Sequence, residues 1–360
     1  MYMDILNRSK EDIEVVYANT DTIVFNGLFQ HDGNNFNVLN SQLNAIQEQV
    51  WDGKFYGHNG VQDGTLYQNT NINPQLLRDR ANLYSKLSNL SFNNSITSTV
   101  NLFYQCSSLT TVPNLNTSNV TDMSYMFYSC NNLTTVSNFN TSNVTNMRSM
   151  FYQCYNNLTT VPNFDTSNVT DMAYIFYSCN NLTAVPNFDT SNVTNMSHMI
   201  QSCYKILTIP NLNTSKVTDM AYMFYSCNNL TTVPNFDTSN VTNMRSMFYS
   251  CNNLTTVPNF DTSNVTDMKS MFERCDNLIN IPQLNTSNII DMSKIFQRCN
   301  NLSDTSIQNI VNMCLNSNIT NSTRKNINNA NMHSPFYQTN IAPARYSNRL
   351  TELAAAGWSY

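Results

Sequence analysis

The run Val120–Leu133, V-T-D-M-S-Y-M-F-Y-S-C-N-N-L, decides the fold. It returns along the chain with small changes, and its cysteine marks the interval: Cys106, Cys130, Cys154, Cys179, Cys203, Cys227, Cys251, Cys275 and Cys299. Each step is 24 residues except the 25 between Cys154 and Cys179, where Cys154-Tyr155-Asn156-Asn157-Leu158 holds one residue more than C-N-N-L. In the coil that contains Leu133 the apolar positions are Leu133, Val136, Phe139, Val144, Met147, Met150, Phe151 and Cys154. One coil cannot bury that set alone. Stacked coils make one continuous core, so the repeat predicts a solenoid of about eight coils.

A period of about 20–29 residues with fixed apolar places is of the leucine-rich-repeat type. Leu133–Val136 is short and β-prone, and Asn143–Met147 reads as a second short strand or bridge. Met147, Met150, Phe151 and Cys154 stand at i, i+3, i+4 and i+7, which predicts one face of a short helix. Pro162, Pro186, Pro210, Pro234, Pro258 and Pro282 follow the first strand and set a turn there. The expected fold class is an α+β repeat solenoid, a right-handed leucine-rich-repeat-like coil stack with short strands and short helices.

Composition excludes several functions. The chain has 360 residues and a net charge of −5 with 18 Lys+Arg, against the basic stripe of a nucleic-acid binder. No apolar run approaches the roughly 18 residues of a membrane span. Met1–Ser9 lacks the basic region, apolar stretch and cleavage site of a signal peptide. Hydrophobic residues at 41% supply ample core, against disorder. Asparagine numbers 63, whereas six of the seven glycines precede residue 65. Asn119, Asn143, Asn168, Asn192, Asn240, Asn264 and Asn288 recur in the T-S-N turn, so amides are expected to build turns at positive φ and to bond from coil to coil.

The same run, with its repeats over about Ser95–Leu302, resembles the BspA-like leucine-rich-repeat surface proteins of bacteria and some parasitic protists. The resemblance implies a repeat fold used for attachment to host molecules or other cells, with no catalytic residues to carry over. Ala355–Tyr360, A-A-G-W-S-Y, resembles the C-terminal module that follows such repeats in bacterial and phage-encoded relatives. Ile5–Glu14, I-L-N-R-S-K-E-D-I-E, loosely resembles N-terminal segments of tailed-phage structural proteins. Residues 1–90 are expected to form a small, mainly helical docking module, with helices over Leu39–Trp51 and Pro74–Leu90. Residues 91–302 form the solenoid. Residues 303–360 form a helical cap, with Ser303-Asp304 starting a helix that buries Ile307, Ile310, Val311 and Cys314, and a final helix over Pro343–Ala356.

Candidate chemistry is sparse. The repeating cysteines read as a buried column of reduced thiols; no C-x₂-C pair or nearby histidine suggests zinc. His31, His58, His198 and His333 join no catalytic pattern, and no glycine-rich phosphate loop is present. Asp122, Asn146, Asp171, Asn195, Asp219, Asn243 and Asp267 alternate acid with amide, which keeps like charges apart. No catalytic residue, cofactor or metal is expected.

Tyrosine carries the binding reading. Tyr104, Tyr128, Tyr152, Tyr177, Tyr225 and Tyr249 follow the inward Phe of each coil. Tyr125, Tyr174 and Tyr222 alternate with coils that carry Arg148 and Arg245. This is either a packing stripe between coils or a rigid aromatic ridge for a ligand, because tyrosine gives large contact area at low entropy cost. A flat threonine face (Thr135, Thr159, Thr183, Thr255) is the competing surface for glycans. The expected function is non-enzymatic attachment on the extracellular face of a virion or bacterial cell. The partner is a host or cell-surface protein or glycan, with a virion or envelope component held through residues 1–90. A virion decoration or scaffold protein is the alternative. Nucleic acid and membrane insertion are excluded; homo-oligomerisation is left open.

Overall fold

The computed structural model describes residues 97–319, apart from 108, 113, 114 and 116, the backbone of four short strands before them, and residues 351–353 and 355. The chain divides into two compact units, Met1–Val169 and Thr170–Tyr360.

In the first unit β1 (Val24–Phe25), β2 (Phe29–His31), β3 (Phe36–Val38) and β4 (Leu90–Ser91) form one sheet in that order. The first two pairings are antiparallel, and β3 meets β4 in parallel, with Phe36 opposite Leu90. The helix expected over Leu39–Trp51, and His58, lie outside the described residues. So does Pro74–Leu90, except that Leu90 opens β4 instead of ending a helix. Further coils follow, joined by parallel bridges Ser98–Asp122 and Asp122–Asn146.

In the second unit the coils bridge through Asp171–Asn195, Asn195–Asp219, Asp219–Asn243, Asn243–Asp267 and Asp267–Asp291. The last coil is closed by α1 (Asp304–Asn316), the helix expected from Ser303. Ser303 accepts the N–H of Ser306 as N-cap, and Ile307, Ile310, Val311, Met313 and Cys314 face inward. Ser306 Oγ donates to Ile279 O, Asn309 Nδ2 to Ile281 O, and Thr286 Oγ1 to Met313 O. The first two occupy coil carbonyls that a further coil would otherwise take, and the third gives the coil's threonine donor a helix carbonyl. Residues 351–353 and 355 are helical; the rest of the expected final helix lies outside the described residues.

The core is the one read from the repeat. Leu133, Val144, Met147, Met150, Phe151 and Cys154 are fully buried, and the phenylalanines stack coil on coil, as in Phe127–Phe151 at 5.4 Å and Phe224–Phe248 at 5.2 Å. Val136 is half-buried. At the end of the L-T-T-V segment the Pro carbonyl accepts the N–H two residues on, as in Phe236 to Pro234 at 3.0 Å. That makes a tight three-residue turn at the place the prolines marked.

The expected short helix is not what the M-x-x-M-F-x-x-C segment forms. Its N–H groups alternate between two acceptors. Met123, Tyr125, Phe127 and Ser129 donate to Asn146, Arg148, Met150 and Tyr152 of the next coil, whereas Met126, Tyr128 and Cys130 donate to the carbonyl three residues back. An α-helix needs every N–H for its own i−4 carbonyl. Here the neighbouring coil takes half of them, and a chain of tight turns results. The apolar residues still point inward, because the turns keep them on one side. The L-T-T-V segment likewise makes isolated bonds, such as Thr134 N to Thr110 O, instead of a continuous strand.

The turns require two left-handed residues per coil, four apart: Tyr125 and Ser129, Ser149 and Gln153, Tyr174 and Ser178, Tyr222 and Ser226 (φ 55–60°). The expectation that asparagine supplies these positions is overturned. Asn101 is the single asparagine at positive φ among the described residues. Asparagine works through its amide instead. Asn143, Asn168, Asn240, Asn264 and Asn288 each donate Nδ2 to a serine carbonyl of the preceding coil at 2.6–2.7 Å. Lys216, which replaces asparagine in its coil, keeps a coil-to-coil bond by donating to Asn192 Oδ1 of the preceding coil.

Candidate functional site

The surface columns begin with the Asp/Asn position. Its side-chain oxygen accepts the N–H two residues on, as in Ser124 N to Asp122 Oδ1 (2.8 Å) and Arg245 N to Asn243 Oδ1 (3.1 Å). The segment after it therefore starts in one orientation in every coil. That fixes the next side chains outward, Tyr125, Tyr174, His198 and Tyr222, and three residues later the second tyrosine column.

The tyrosines are half-buried and stacked in register. In the first unit Tyr104, Tyr128 and Tyr152 lie 4.7 and 4.4 Å apart, within 11° of parallel. In the second, Tyr225 and Tyr249 lie 4.5 Å apart. The inner column is tilted against the outer one, with Tyr125–Tyr128, Tyr174–Tyr177 and Tyr222–Tyr225 at 43–45°. Tyr177 has Gln201, not tyrosine, in the next coil. Stacking closes both ring faces of Tyr128, so ring edges and hydroxyls remain for a partner. Burial, then the neighbouring phenols, push the hydroxyls of Tyr104, Tyr128 and Tyr225 above the ordinary tyrosine range. They remain protonated donors.

Tyr174 and Tyr222 belong to non-adjacent coils, and His198 joins them. Its ring stacks on Tyr174 at 4.2 Å and on Tyr222 at 4.5 Å, and Nδ1 lies 2.5 Å from Gln201 Oε1. Sequence reasoning passed over His198 because it looked for catalytic neighbours in sequence. The available signal was its place in the repeat, three residues after Asn195, where tyrosine stands after Asp122, Asp171 and Asp219.

Arg245 closes this stack. Its Nε donates to Tyr222 Oη at 2.9 Å, and Nη1 reaches Asp267 Oδ2 at 3.5 Å. Partial burial works to lower its pKa, but the Tyr222 hydrogen bond and the Asp267 charge outweigh this and hold it above the ordinary value. Arg274, which the sequence reading did not single out, is raised chiefly by its hydrogen bond to Tyr249. Arg148 is half-buried; its N–H is held by Asn146 Oδ1 and its carbonyl accepts Tyr125 N.

The cysteine column lies behind this surface. All ten cysteines are buried thiols outside any disulfide. Thiols of the column also bond from coil to coil. Cys130, Cys227 and Cys251 donate Sγ–H to the carbonyls of Phe103, Ile200 and Phe224 in the preceding coil at 3.0–3.1 Å. Burial raises the thiols of Cys227 and Cys251, that of Cys227 to about 12, which is opposite to a reactive nucleophile.

The family described as "Mycoplasma protein of unknown function, DUF285" matches residues 97–208, 180–279, 202–310 and 229–340 in overlapping copies. The chain belongs to this family. The matches fall on the 24-residue repeats. No curated protein matches the chain. Among solved structures, a leucine-rich repeat protein of T. pallidum is 18% identical over 56% of this chain and 81% of its own, with a TM-score of 0.33. A leucine-rich cell surface protein of Faecalibacterium prausnitzii is 19% identical over 60% and 72%, with a TM-score of 0.30. A leucine-rich repeat protein of Eubacterium ventriosum is 17% identical over 61% and 78%, also at 0.30. The coil geometry of this DUF285 member therefore rests on its own bridges and ladders.

Proposed function

We propose that this chain is a non-enzymatic attachment protein. Its coils stand on the outside of a cell or virion and bind a surface molecule through repeated contacts, with residues 1–90 as the docking module and residues 303–360 as the cap. One observation carries this reading: half-buried tyrosines stack from coil to coil at 4.4–4.7 Å, in Tyr104–Tyr128–Tyr152 and Tyr225–Tyr249. Such a row is rigid before it meets a partner, so little side-chain entropy is lost on binding.

The test is binding of the purified full chain to host cells, followed by flow cytometry, beside the variants Tyr128→Ser, Tyr152→Ser and Tyr177→Ser. The expected result is binding by the parent chain and a marked loss in the variants, with circular dichroism unchanged. Full binding by folded variants would move the site elsewhere. Absence of binding by the parent chain would overturn the attachment reading and leave a decoration or scaffold role.

A further inference from the structure

Bulky side chains avoid the left-handed region, yet Tyr174, His198 and Tyr222 occupy it in three successive coils at φ 57–59°. Other coils place Asn101, Tyr125, Ser149, Ser246, Ser270 and Lys294 there. Backbone strain of this kind persists where the side chain is needed. The three rings form one stack that ends on Arg245, and Lys269 and Arg274 follow it among the carboxylates Asp267, Glu273, Asp276 and Asp291. Arg245 spends Nε on Tyr222 and meets Asp267 loosely, at 3.5 Å. Its remaining guanidinium N–H groups meet no partner among the described residues. Lys269 follows Arg245 in the same column one coil on and lies 3.9 Å from Asp291. Arg274 holds the Tyr249 hydroxyl in the next coil.

The chemistry offered is a planar guanidinium fork beside phenol hydroxyls. A fork of this shape suits a carboxylate, which it meets with two parallel hydrogen bonds. A protein partner would need an accessible aromatic or apolar anchor at the centre of its interface, and the Tyr174, His198 and Tyr222 rings are stacked face to face on one another. The exposed large hydrophobics, Tyr204, Leu207, Ile279, Ile290 and Leu315, all lie outside these columns. Stacking also closes both faces of His198, so a neutral sugar that packs on ring faces finds no platform there. An acidic sugar needs donors and one fork, and this surface has both.

We propose that the Tyr222–Arg245 surface binds a carboxylated glycan. Arg245 takes the sugar carboxylate, and the Tyr222 and Tyr249 hydroxyls with Arg274 hold neighbouring sugar oxygens. This rests on the attachment reading and names its ligand class.

The experiment titrates the full chain with a hyaluronan hexasaccharide, its carboxyl-reduced form, sialyllactose and hexaglutamate by calorimetry at fixed salt. At least one of the two acidic sugars binds, and the reduced form and the peptide bind at least about tenfold more weakly. Arg245→Gln loses about tenfold or more, Arg245→Lys also loses affinity because it has no fork, and Tyr222→Phe loses about threefold. Buried cysteines that stay unreactive show that each variant is folded. Equal binding of the reduced form, unchanged affinity in folded Arg245→Gln, or no binding by either acidic sugar overturns the proposal. Hexaglutamate binding as tightly as the sugars overturns it in favour of an acidic protein partner. Host-cell binding that survives in Arg245→Gln leaves the attachment reading standing while this proposal falls.

Discussion

The side-chain amide of Asn146 donates to Asp122 Oδ2 of the preceding coil at 3.1 Å, while Asp122 Oδ1 and Asn146 Oδ1 each accept the N–H two residues on. The bridge position needs an acceptor in every coil, which Asp and Asn both provide. Alternating them adds a donor between neighbours in place of two facing carboxylates. Asn146→Asp removes that donor and sets two negative charges on adjacent coils. The variant is expected to lose about 1 kcal/mol at neutral pH. The repelled carboxyl has a raised folded pKa, so the loss shrinks as pH falls through it. Urea unfolding at pH 7 and pH 4 measures both effects, and equal losses at the two pH values would contradict the charge account.

The thiol column predicts a chemical silence. None of the ten cysteines is expected to react with a thiol reagent at pH 8 until the chain unfolds, because each is buried and the thiolate is strongly disfavoured there. The folded state keeps Cys227 neutral up to about 12, whereas the unfolded thiol ionises near about 8.5. Stability is therefore full below the unfolded value and declines as pH rises above it, until the folded thiol itself ionises. Cys227→Ala is expected to cost about 1–2 kcal/mol through the lost volume and the lost bond to Ile200 O. Cys227→Ser keeps a donor and is expected to cost less.

Gln105 tests the strain in the turns. It is exposed, sits at φ 56° and donates its N–H to Tyr128 O. Gln105→Gly is expected to stabilise the chain by about 0.5–1 kcal/mol, since glycine meets no Cβ penalty in this region. Gln105→Val is expected to destabilise it by a similar amount or more. Thermal melts of the two variants moving in the same direction would show that the turn is not strained.

The long 25-residue step leaves a mark at Thr141. Thr238 Oγ1 donates to Asp261 O at 2.8 Å, and Thr117, Thr190, Thr214 and Thr262 make the same bond. Thr141 Oγ1 is buried and meets no partner among the described residues; the coil after it is the lengthened one. Thr141→Val is therefore expected to be neutral or stabilising by up to about 1 kcal/mol, and Thr238→Val to cost about 1 kcal/mol. Equal costs in denaturant unfolding would mean that Thr141 has a partner after all.

The period, the inward residues and the turns at Pro162, Pro186, Pro210, Pro234 and Pro258 were legible in the sequence, because burial depends on side-chain chemistry repeated at a fixed interval. Leu133, Met147, Phe151 and Cys154 could be placed inside from that interval alone. The backbone between them could not. A spacing of i, i+3, i+4 and i+7 describes one face of a helix and one side of a turn chain equally well. What separates them is whether N–H groups such as those of Tyr125 and Phe127 find carbonyls within their own coil or in the next. The asparagine excess and its coil-to-coil amide bonding were likewise legible, but the acceptor, a serine carbonyl about 25 places away, was not. The same holds for the candidate surface. The tyrosine columns could be listed from the repeat. Tertiary structure decided that Tyr128 has both faces closed, that His198 joins Tyr174 to Tyr222, and that Arg245 reaches Tyr222, because stacking and hydrogen bonding act between residues that only the coiling of the chain brings within reach.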